Sequence, residues 1–465
     1  MKLSHQETEV TLKQAIVFFI LVLLSAGFAF GGTIVMTTSD YFSGNTAVYD
    51  TQSGILRDDI LPHFQDAYVK TDDTYMYILE AGDNSSVIKV NPDNIDTPIY
   101  QYSVGPGSNP HDMVFLDSKA YVLRYNATEI WVVNHNTATE DGFKLGEIDI
   151  AQWADDDGSP DARMGFVYDN LVYIVLQRYN MSTSSADTSV IIAIDPSSDT
   201  IIDMDEDVDG IQGVDLIIKN PYKGCLVGSL LYLAGTCYGV SDEGVMIVDL
   251  TDVKDSQRKL ISEETVGGNV AGVDVFGTDY GLVYSYDENW NTVARMFDPR
   301  TGALGRLLPV PDAGGGVVAV GGNLYVGSRH YESPGLFIVD PLTNQLIGEP
   351  FIMSLPPYSI EYIGGESRVP VEYDSNVPVE IGITAAYPNP FNPLITIRYD
   401  IAHDSHVTLD VFNAAGQKVE TLVDRNTQAG NFSMVWNADN LASGVYHVRL
   451  SDGVSTKSHT VTLVK

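Results

Sequence analysis

The sequence predicts an all-β protein, a large ring of repeated four-stranded sheets followed by a small two-sheet sandwich. Three observations predict it. Strand formers dominate: the 465-residue chain has 26 Tyr with many Val, Ile and Thr, only 19% charged residues, and 41 Gly and 21 Pro to make turns. A short phrase recurs seven times between Asp50 and Asp340. A separate run of short alternating segments fills the chain beyond residue 383.

The recurring phrase is a strand that ends in Asp or Asn: AVYDT (Asp50), IKVNP (Asn91), WVVNH (Asn134), IAIDP (Asp195), IVDL (Asp249), MFDP (Asp298) and FIVDP (Asp340), spaced by 41, 43, 61, 54, 49 and 42 residues. The Asx side chain accepts from the backbone just beyond it and stops the strand in a turn. Before each of the last six phrases comes an apolar strand centred on tyrosine, at Tyr77, Tyr121, Tyr173, Tyr232, Tyr284 and Tyr325; Met36 in TIVMTT takes that place in the first. A large ring with a polar tip suits packing between layers. Further upstream lies another short strand and a tight turn, as in MVFL-DSK (Met113–Lys119), GFV-YDN (Gly165–Asn170) and VVAV-GGN (Val317–Asn323). Each unit thus has four strands, a to d, with b carrying the tyrosine and c ending at the Asx residue. Seven units of this length predict a seven-bladed β-propeller; an array of sandwiches accounts for the strands but not for the regular b-to-c phrase. The first unit begins at strand b (Thr33–Thr38), and SIEYIG (Ser359–Gly364) supplies its missing strand a from the far end. First and last segments then share one blade, leaving no open edge.

At the N-terminus, Lys2 and Lys13 precede the apolar run Ala15–Phe30 and the small residues Ala26, Ala29, Gly31 and Gly32. This predicts a signal peptide over 1–32, with an uncleaved anchor as the alternative because Glu7 and Glu9 lengthen the leader. The propeller then covers 33–364, a Gly-, Pro- and Ser-containing linker 365–383, and the sandwich 384–465. The net charge is −36: residues 31–377 hold 18 Lys+Arg against 52 Asp+Glu, whereas residues 378–465 hold 6 against 8. An acidic field of this size repels nucleic acid and anionic membrane, and nucleic acid is not expected as a partner. Cys225 and Cys237 are the only cysteines. A turn at Gly228–Ser229 sets Cys225 opposite Tyr232 rather than Cys237, which leaves a free pair, a strained bridge and a regular disulfide all open.

In such a ring the a→b and c→d turns share one face, and the b→c and d→a connections share the other. The longest variable segments, Gln152–Arg163, Gln177–Val190 and Met204–Lys223, all fall on the second face, where rigid β scaffolds carry function. Candidate ligand-binding residues there are His63 and His111, which follow Pro62 and Pro110, together with Arg124-Tyr125, Arg163, Arg178-Tyr179 and Arg329-His330-Tyr331. Arginine is scarce in this acidic region, so these placements suggest a mouth for an anion or sugar and an unknown extracellular ligand or protein as partner. The structural alternative is that the arginines pair with Asp on neighbouring blades and the tyrosines pack. DEDVDG offers Asp205, Asp207 and Asp209 at alternate positions before Gly210, like half of a Ca²⁺ loop, but Leu216 stands where the bidentate Glu belongs. ADDDGSPD (Ala154–Asp161) is a looser acidic cluster. There is no HExxH, nucleophile elbow, phosphate loop or CxxCH. Ligand binding is therefore the first expectation; a secreted hydrolase or lyase acting on carbohydrate or lactone, and a structural surface-layer component, are the alternatives.

Over Thr33–Gly364 the repeat is similar to exported seven-bladed propellers with YVTN-like or quinoprotein-like blades, a resemblance that implies fold and not activity. Beyond the linker, ITIRYDI, VTLDVFN, KVETLV, NFSMVWN, GVYHVRL and SHTVTLV predict an Ig-like sandwich with Trp436, Phe412 and Tyr446 as core anchors. Its lead-in, YPNPFNP (Tyr387, Pro388, Asn389, Pro390, Phe391, Asn392, Pro393), can neither continue a helix nor lie inside a sheet, and suits a strap that spares an edge from unwanted pairing. This lead-in, VFNAAGQKVETLV with Gly416, AGNFSMVWNADNLASGVYHVRL with Gly444 and Tyr446, and the terminal VTLVK together resemble the C-terminal sorting domain, type A, of type IX secretion cargo. The resemblance implies Sec export, the type IX secretion machinery as a partner, passage across the outer membrane of a Gram-negative bacterium, removal of the domain, and a secreted or outer-surface destination.

Overall fold

A computed structural model describes residues 31–83, 85–180, 182–205, 207–237, 243–277, 280–364, 381–401, 405–427, 430–439, 441–453 and 455–465. The expected signal peptide, but for its last two residues, and most of the expected linker lie outside the described residues. The chain divides into two compact units, Met1–Val371 and Glu372–Lys465.

The first unit is a ring of seven sheets, each with strands a to d in order across it. Blade 1 is Pro357–Ile363 (a), Thr33–Ser39 (b), Gly44–Asp50 (c) and Ile55–Arg57 (d). Blade 2 is Ala67–Thr71, Met76–Glu80, Ser86–Val90 and Pro98–Ser103; blade 3 is Pro110–Leu116, Lys119–Arg124, Glu129–Val133 and Lys144–Asp149. Blade 4 is Ala162–Tyr168, Leu171–Leu176, Val190–Asp195 and Thr200–Ile202; blade 5 is Pro221–Val227, Leu230–Gly235, Gly244–Asp249 and Arg258–Ile261. Blade 6 is Val270–Phe276, Tyr280–Tyr286, Thr292–Phe297 and Leu304–Leu307; blade 7 is Val317–Val320, Asn323–Ser328, Gly335–Asp340 and Gln345–Leu346.

The recurring Asx residue does the same job in every blade. A side-chain oxygen of Asp50, Asn91, Asn134, Asp195, Asp249, Asp298 and Asp340 accepts the N–H two residues on, at 2.8–3.1 Å. The strand-b tyrosines are all buried, and four of them reach the c→d turn of the next blade. The Tyr77 hydroxyl lies 2.8 Å from His135 Nδ1, and the hydroxyls of Tyr121, Tyr173 and Tyr232 donate to Asp199 (2.6 Å), Leu250 O (3.3 Å) and Pro299 O (3.4 Å). Tyr325 packs its ring 5.7 Å from Tyr49 of blade 1. The apolar clusters accordingly lie between neighbouring blades rather than at one centre.

The a strands of successive blades touch, from blade 7 through blade 1 and on to blade 6, which makes a the innermost strand. Closure is as the sequence predicts: Thr33–Ser39 pairs with Gly44–Asp50 on one side and with Pro357–Ile363 on the other. Ile363 joins the cluster between blades 1 and 2, and Ile360 the cluster between blades 7 and 1. Gly315 and Gly327 let blade 7 approach this strand, since a Cβ on either would come within 2.8–2.9 Å of Pro357 Cβ. The c→d connections of blades 3 and 5 are longer than the short turns found elsewhere on that face, and the first holds a single 3-10 turn, Glu140–Gly142. Cys225 faces Tyr232 across the a–b hairpin of blade 5, and no disulfide joins Cys225 to Cys237.

The second unit is a seven-stranded sandwich. One sheet joins Gly382–Tyr387, Leu394–Ile401 and Gly430–Asn437; the other joins Lys418–Thr427, Ser405–Asn413, Gly444–Ser451 and Thr456–Leu463. Trp436 and Tyr446 anchor its core as expected, with ring centroids 5.8 Å apart. Phe412 does not: Val407, Leu409 and Val411 take the inward positions of its strand, and strand alternation turns Phe412 outward beneath Arg449, 4.3 Å from its ring. Phe391 of the lead-in takes the third aromatic place instead, 5.4 Å from Trp436.

Deleting residues 355–364 should abolish cooperative melting of the whole ring, not of blade 1 alone, because two inter-blade clusters and the only seam go with it. Circular dichroism melts and limited proteolysis check this; native-like protection of blades 2–6 would contradict it.

Candidate functional site

The b→c/d→a face is built by a repeated irregularity of strand a. In blades 3, 4, 5 and 6 the register with strand b slips after the first residue, so that the pairing skips His111, Arg163, Tyr222 and Ala271; in blade 1 the same slip skips Tyr358. A β-bulge of this kind re-aims one side chain away from the ladder. In blade 2, Tyr68 holds the equivalent second position without a bulge.

These side chains meet. Arg163 Nη1 donates to His111 Nδ1 and Nε donates to Tyr222 O at 3.2 Å, while the guanidinium lies 4.4 Å from the Tyr222 ring and 5.7 Å from that of Tyr68. Arg163 of blade 4 thus reaches residues of blades 2, 3 and 5 and fills the centre of the face. Tyr68 packs 5.1 Å from His111 and 5.5 Å from Tyr358, and His111 stacks 4.3 Å from Tyr125. Arg329 of blade 7 extends the arc, 5.4 Å from the Tyr358 ring and 4.9 Å from that of Tyr41, to whose hydroxyl Nη2 donates. Burial first, then the Arg163 charge, pushes His111 well below the ordinary histidine value, so its Nδ1 is a neutral acceptor. Burial opposes the Arg163 charge, but the oxygens of Tyr68, Tyr222 and Tyr125 outweigh it and hold the guanidinium cationic. Deeper along the a strands the layer is ion-paired: Lys70 with Asp112 (2.9 Å) and Glu361 (3.9 Å), and Lys223 with Asp274 (2.5 Å).

Of the candidate residues, His111, Tyr125, Arg163 and Arg329 are brought together here, and His330 and Tyr331 stand on the rim beside Arg329. His63 sets both ring nitrogens on backbone carbonyls, of Phe64 and Asn45. Arg124 is held by Val104 O (2.8 Å) of the connection from blade 2 and, within its own blade, by Glu129 (3.0 Å) and the Trp131 ring (4.7 Å). Arg178 bonds Thr188 O (2.8 Å) and Asp187 (3.2 Å). Tyr179 lies in a two-residue hairpin strand, its N–H on Asp161 Oδ2. Tyr68, Tyr222 and Tyr358 were not among the candidates, yet they follow Ala67, Pro221 and Pro357 just as Arg163 follows Ala162 and His111 follows Pro110. That shared position was the available signal.

In the DEDVDG loop, Lys254 occupies the carboxylates of Asp205 (2.7 Å) and Asp207 (3.6 Å), and the Asp209 carbonyl accepts from Gln212. The carboxylate oxygens that gather within 4.8 Å of one another among the described residues are instead those of Asp155, Asp157 and Asp161. Burial pushes Asp161 up to about 7, against the Tyr179 N–H and Ser159, with Asp157 and Asp155 adding to the rise.

In the second unit the lead-in lies along the last strand. Phe391 N donates to Thr462 O and Val464 N donates to Phe391 O, each at 2.9 Å. The Asn389 side chain donates to Thr460 O (3.1 Å) and accepts from Thr462 N (2.9 Å). The family described as secretion system C-terminal sorting domain matches residues 385–464. This module is a type IX sorting domain. In it, the strap from Tyr387 to Pro393 covers an outer edge, and Asn413 builds the turn at Gly416 (φ +76°) by accepting from Ala415 N and Gln417 N at 3.0 Å. The sorting domain implies export to the cell surface or release, and interaction with the type IX secretion system. Among the described residues no helix is long and apolar enough to cross a membrane.

No curated protein matches the chain in sequence. Among solved structures, a putative 6-phosphogluconolactonase from Bacteroides fragilis is 13% identical with a TM-score of 0.52, the match covering 73% of this chain and 99% of that one. PorZ, a surface component of the type IX secretion system of Porphyromonas gingivalis, is 12% identical with a TM-score of 0.40, over 91% of this chain and 56% of that one. At these identities the likeness concerns the fold alone.

The raised Asp161 gives a pH dependence of definite sign. The native carboxyl keeps its proton to about pH 7, whereas the unfolded one loses it near the reference value of about 3.9. The unfolded state therefore binds fewer protons across that window, and this group's contribution to stability falls as pH rises from about 4 to about 7. Asp161→Asn, which keeps an acceptor for Tyr179 N–H, should match the parent at pH 4 and exceed it by on the order of 2–4 kcal/mol at pH 8. Urea unfolding at pH 4, 6 and 8 reads the difference directly.

Proposed function

We propose that the ring is a recognition module, delivered outside the cell by its sorting domain, that binds a ligand bearing an anionic group at the b→c/d→a face. The observation that supports this best is a pair of arginines without a carboxylate. In a ring with so large an excess of acid, Arg124 and Arg178 have acidic partners in their own blades, but among the described residues Arg163 and Arg329 have none. Both are flanked by tyrosines, which offer rings and hydroxyls together. Their roles differ. Arg163 spends Nε and Nη1 on Tyr222 and His111, so it ties the face together and supplies charge from beneath. Arg329 bonds the hydroxyl of exposed Tyr41 and is the better placed to meet a ligand.

Calorimetric titration of the exported protein with carboxylated, sulfated and neutral sugars tests this. Arg329→Glu should abolish binding of the charged sugars and leave the melting temperature near that of the parent. Arg124→Glu should do the reverse, lowering the melting temperature and sparing binding. Undiminished binding by Arg329→Glu would overturn the reading.

Removing residues 384–465 tests delivery. The truncated ring should be absent from surface and medium fractions and accumulate inside the outer membrane, as read by immunoblotting of cell fractions; unchanged surface or medium levels would contradict sorting by this domain.

A further inference from the structure

Beside Arg329 the same face carries an unusual row of exposed aromatic rings. Trp290 in the b→c connection of blade 6 is 68% exposed, Tyr331 in that of blade 7 is 91% exposed, and Tyr41 and Phe42 in that of blade 1 are 56% and 90% exposed. Two of the three connections are built alike. Asp287 Oδ1 accepts from the N–H groups of Asn289 and Asn291, at 2.8 Å each, and holds Trp290 at φ +63°; Asp40 Oδ1 accepts from Phe42 N (2.9 Å) and Ser43 N (2.7 Å) and closes the turn that holds Tyr41 at φ +68°. A bulky aromatic residue in the left-handed region is strained, and here the strain presents a ring to solvent. The connections are also tied to one another: Asp312 accepts from Thr292 N through Oδ1 (2.9 Å) and from Arg329 N through its carbonyl (2.8 Å), and Arg329 rests on Tyr41. On this side the a strands of blades 6 and 7 contribute only Ala271 and the Gly315–Gly316 pair at the positions that hold Tyr, His or Arg elsewhere, while blade 1 sets Tyr358 against Arg329.

We infer that this row binds a glycan chain of neutral sugars carrying a single carboxylate, the rings taking the apolar faces of successive sugars and Arg329 the carboxylate. The inference rests on the reading of the face as an anion-recognising site. Charge decides the ligand class. A net charge of −36 disfavours a polyanion or an anionic membrane, whereas the single guanidinium of Arg329, half-buried beside exposed Tyr41, matches one isolated carboxylate. Rings set on three separate turns, with the polar groups of Asp and Asn turns between them, suit a chain that alternates apolar faces and hydroxyl edges better than a continuous apolar partner.

Titration of the full exported chain with glucuronate, with xylotetraose, and with xylotriose bearing one glucuronate tests it. The acidic oligosaccharide should bind about tenfold more tightly than glucuronate. Trp290→Ala and Phe42→Ala should each erase most of that gain while leaving glucuronate binding unchanged. If glucuronate binds and is lost in Arg329→Glu, but the oligosaccharide gains nothing over it or the gain survives both aromatic variants, the glycan row is wrong and the anion site stands. If neither acidic probe binds, both readings fall. If the aromatic variants instead abolish binding to vesicles of zwitterionic lipid or to an extended peptide, the glycan inference is overturned.

Discussion

The pairing of Thr33–Ser39 with Pro357–Ile363 is the constraint on which the rest of the ring depends. Seven sheets that bury their apolar faces only against neighbours have no stable end, and this pairing, between segments more than three hundred residues apart, removes the ends. It also carries chemistry. Tyr358 is on the closing strand and is the bulged residue of its blade, so the contact from Tyr68 through Tyr358 to Arg329 exists only when the seam is formed. The b→c/d→a face is therefore assembled by the same event that closes the fold.

The two repeated residues divide the remaining work. The Asx residue acts within a blade, fixing where strand c stops. The strand-b tyrosine acts between blades, and in blades 2 to 5 its hydroxyl finds the c→d turn of the next one, so the turn made by the first residue provides a partner for the second. This coupling leaves the opposite face free to vary. The long connections can change in length and content without touching either device, which is why aromatic, arginine and acidic clusters all occur there.

The fold was legible because its determinants are local and repeat: an Asx stop, a tyrosine at the centre of a period-2 strand, and a missing strand at one end matched by an extra one at the other. The site was legible only in part. Arg163 and His111 stood out as rare residue types, but Tyr68, Tyr222 and Tyr358 are common types in a tyrosine-rich chain, and a bulge is invisible to period-2 alternation. The same blindness to register misplaced Phe412, whose neighbours Val411 and Leu409 face the core. Arg124 and Arg178 looked equivalent to Arg329 because each opens a b→c connection; what separates them is Glu129 and Asp187, which lie across a turn and pair with them only in three dimensions.

The distribution of charge and strain on the face favours recognition over a merely structural role for it. Arg124 and Arg178 on the same face are paired with carboxylates, and a merely structural role would fold large rings inward. Instead His111 is held neutral as an acceptor for Arg163, which keeps a cation over the centre of an acidic ring without a carboxylate to cancel it. Tyr41 and Trp290 each occupy a backbone conformation that costs on the order of 1–3 kcal/mol, and in neither case does the ring become buried in return. Uncancelled charge at Arg163 and Arg329 and unrewarded strain at Tyr41 and Trp290, all on one face, are what a surface preorganised for a partner requires.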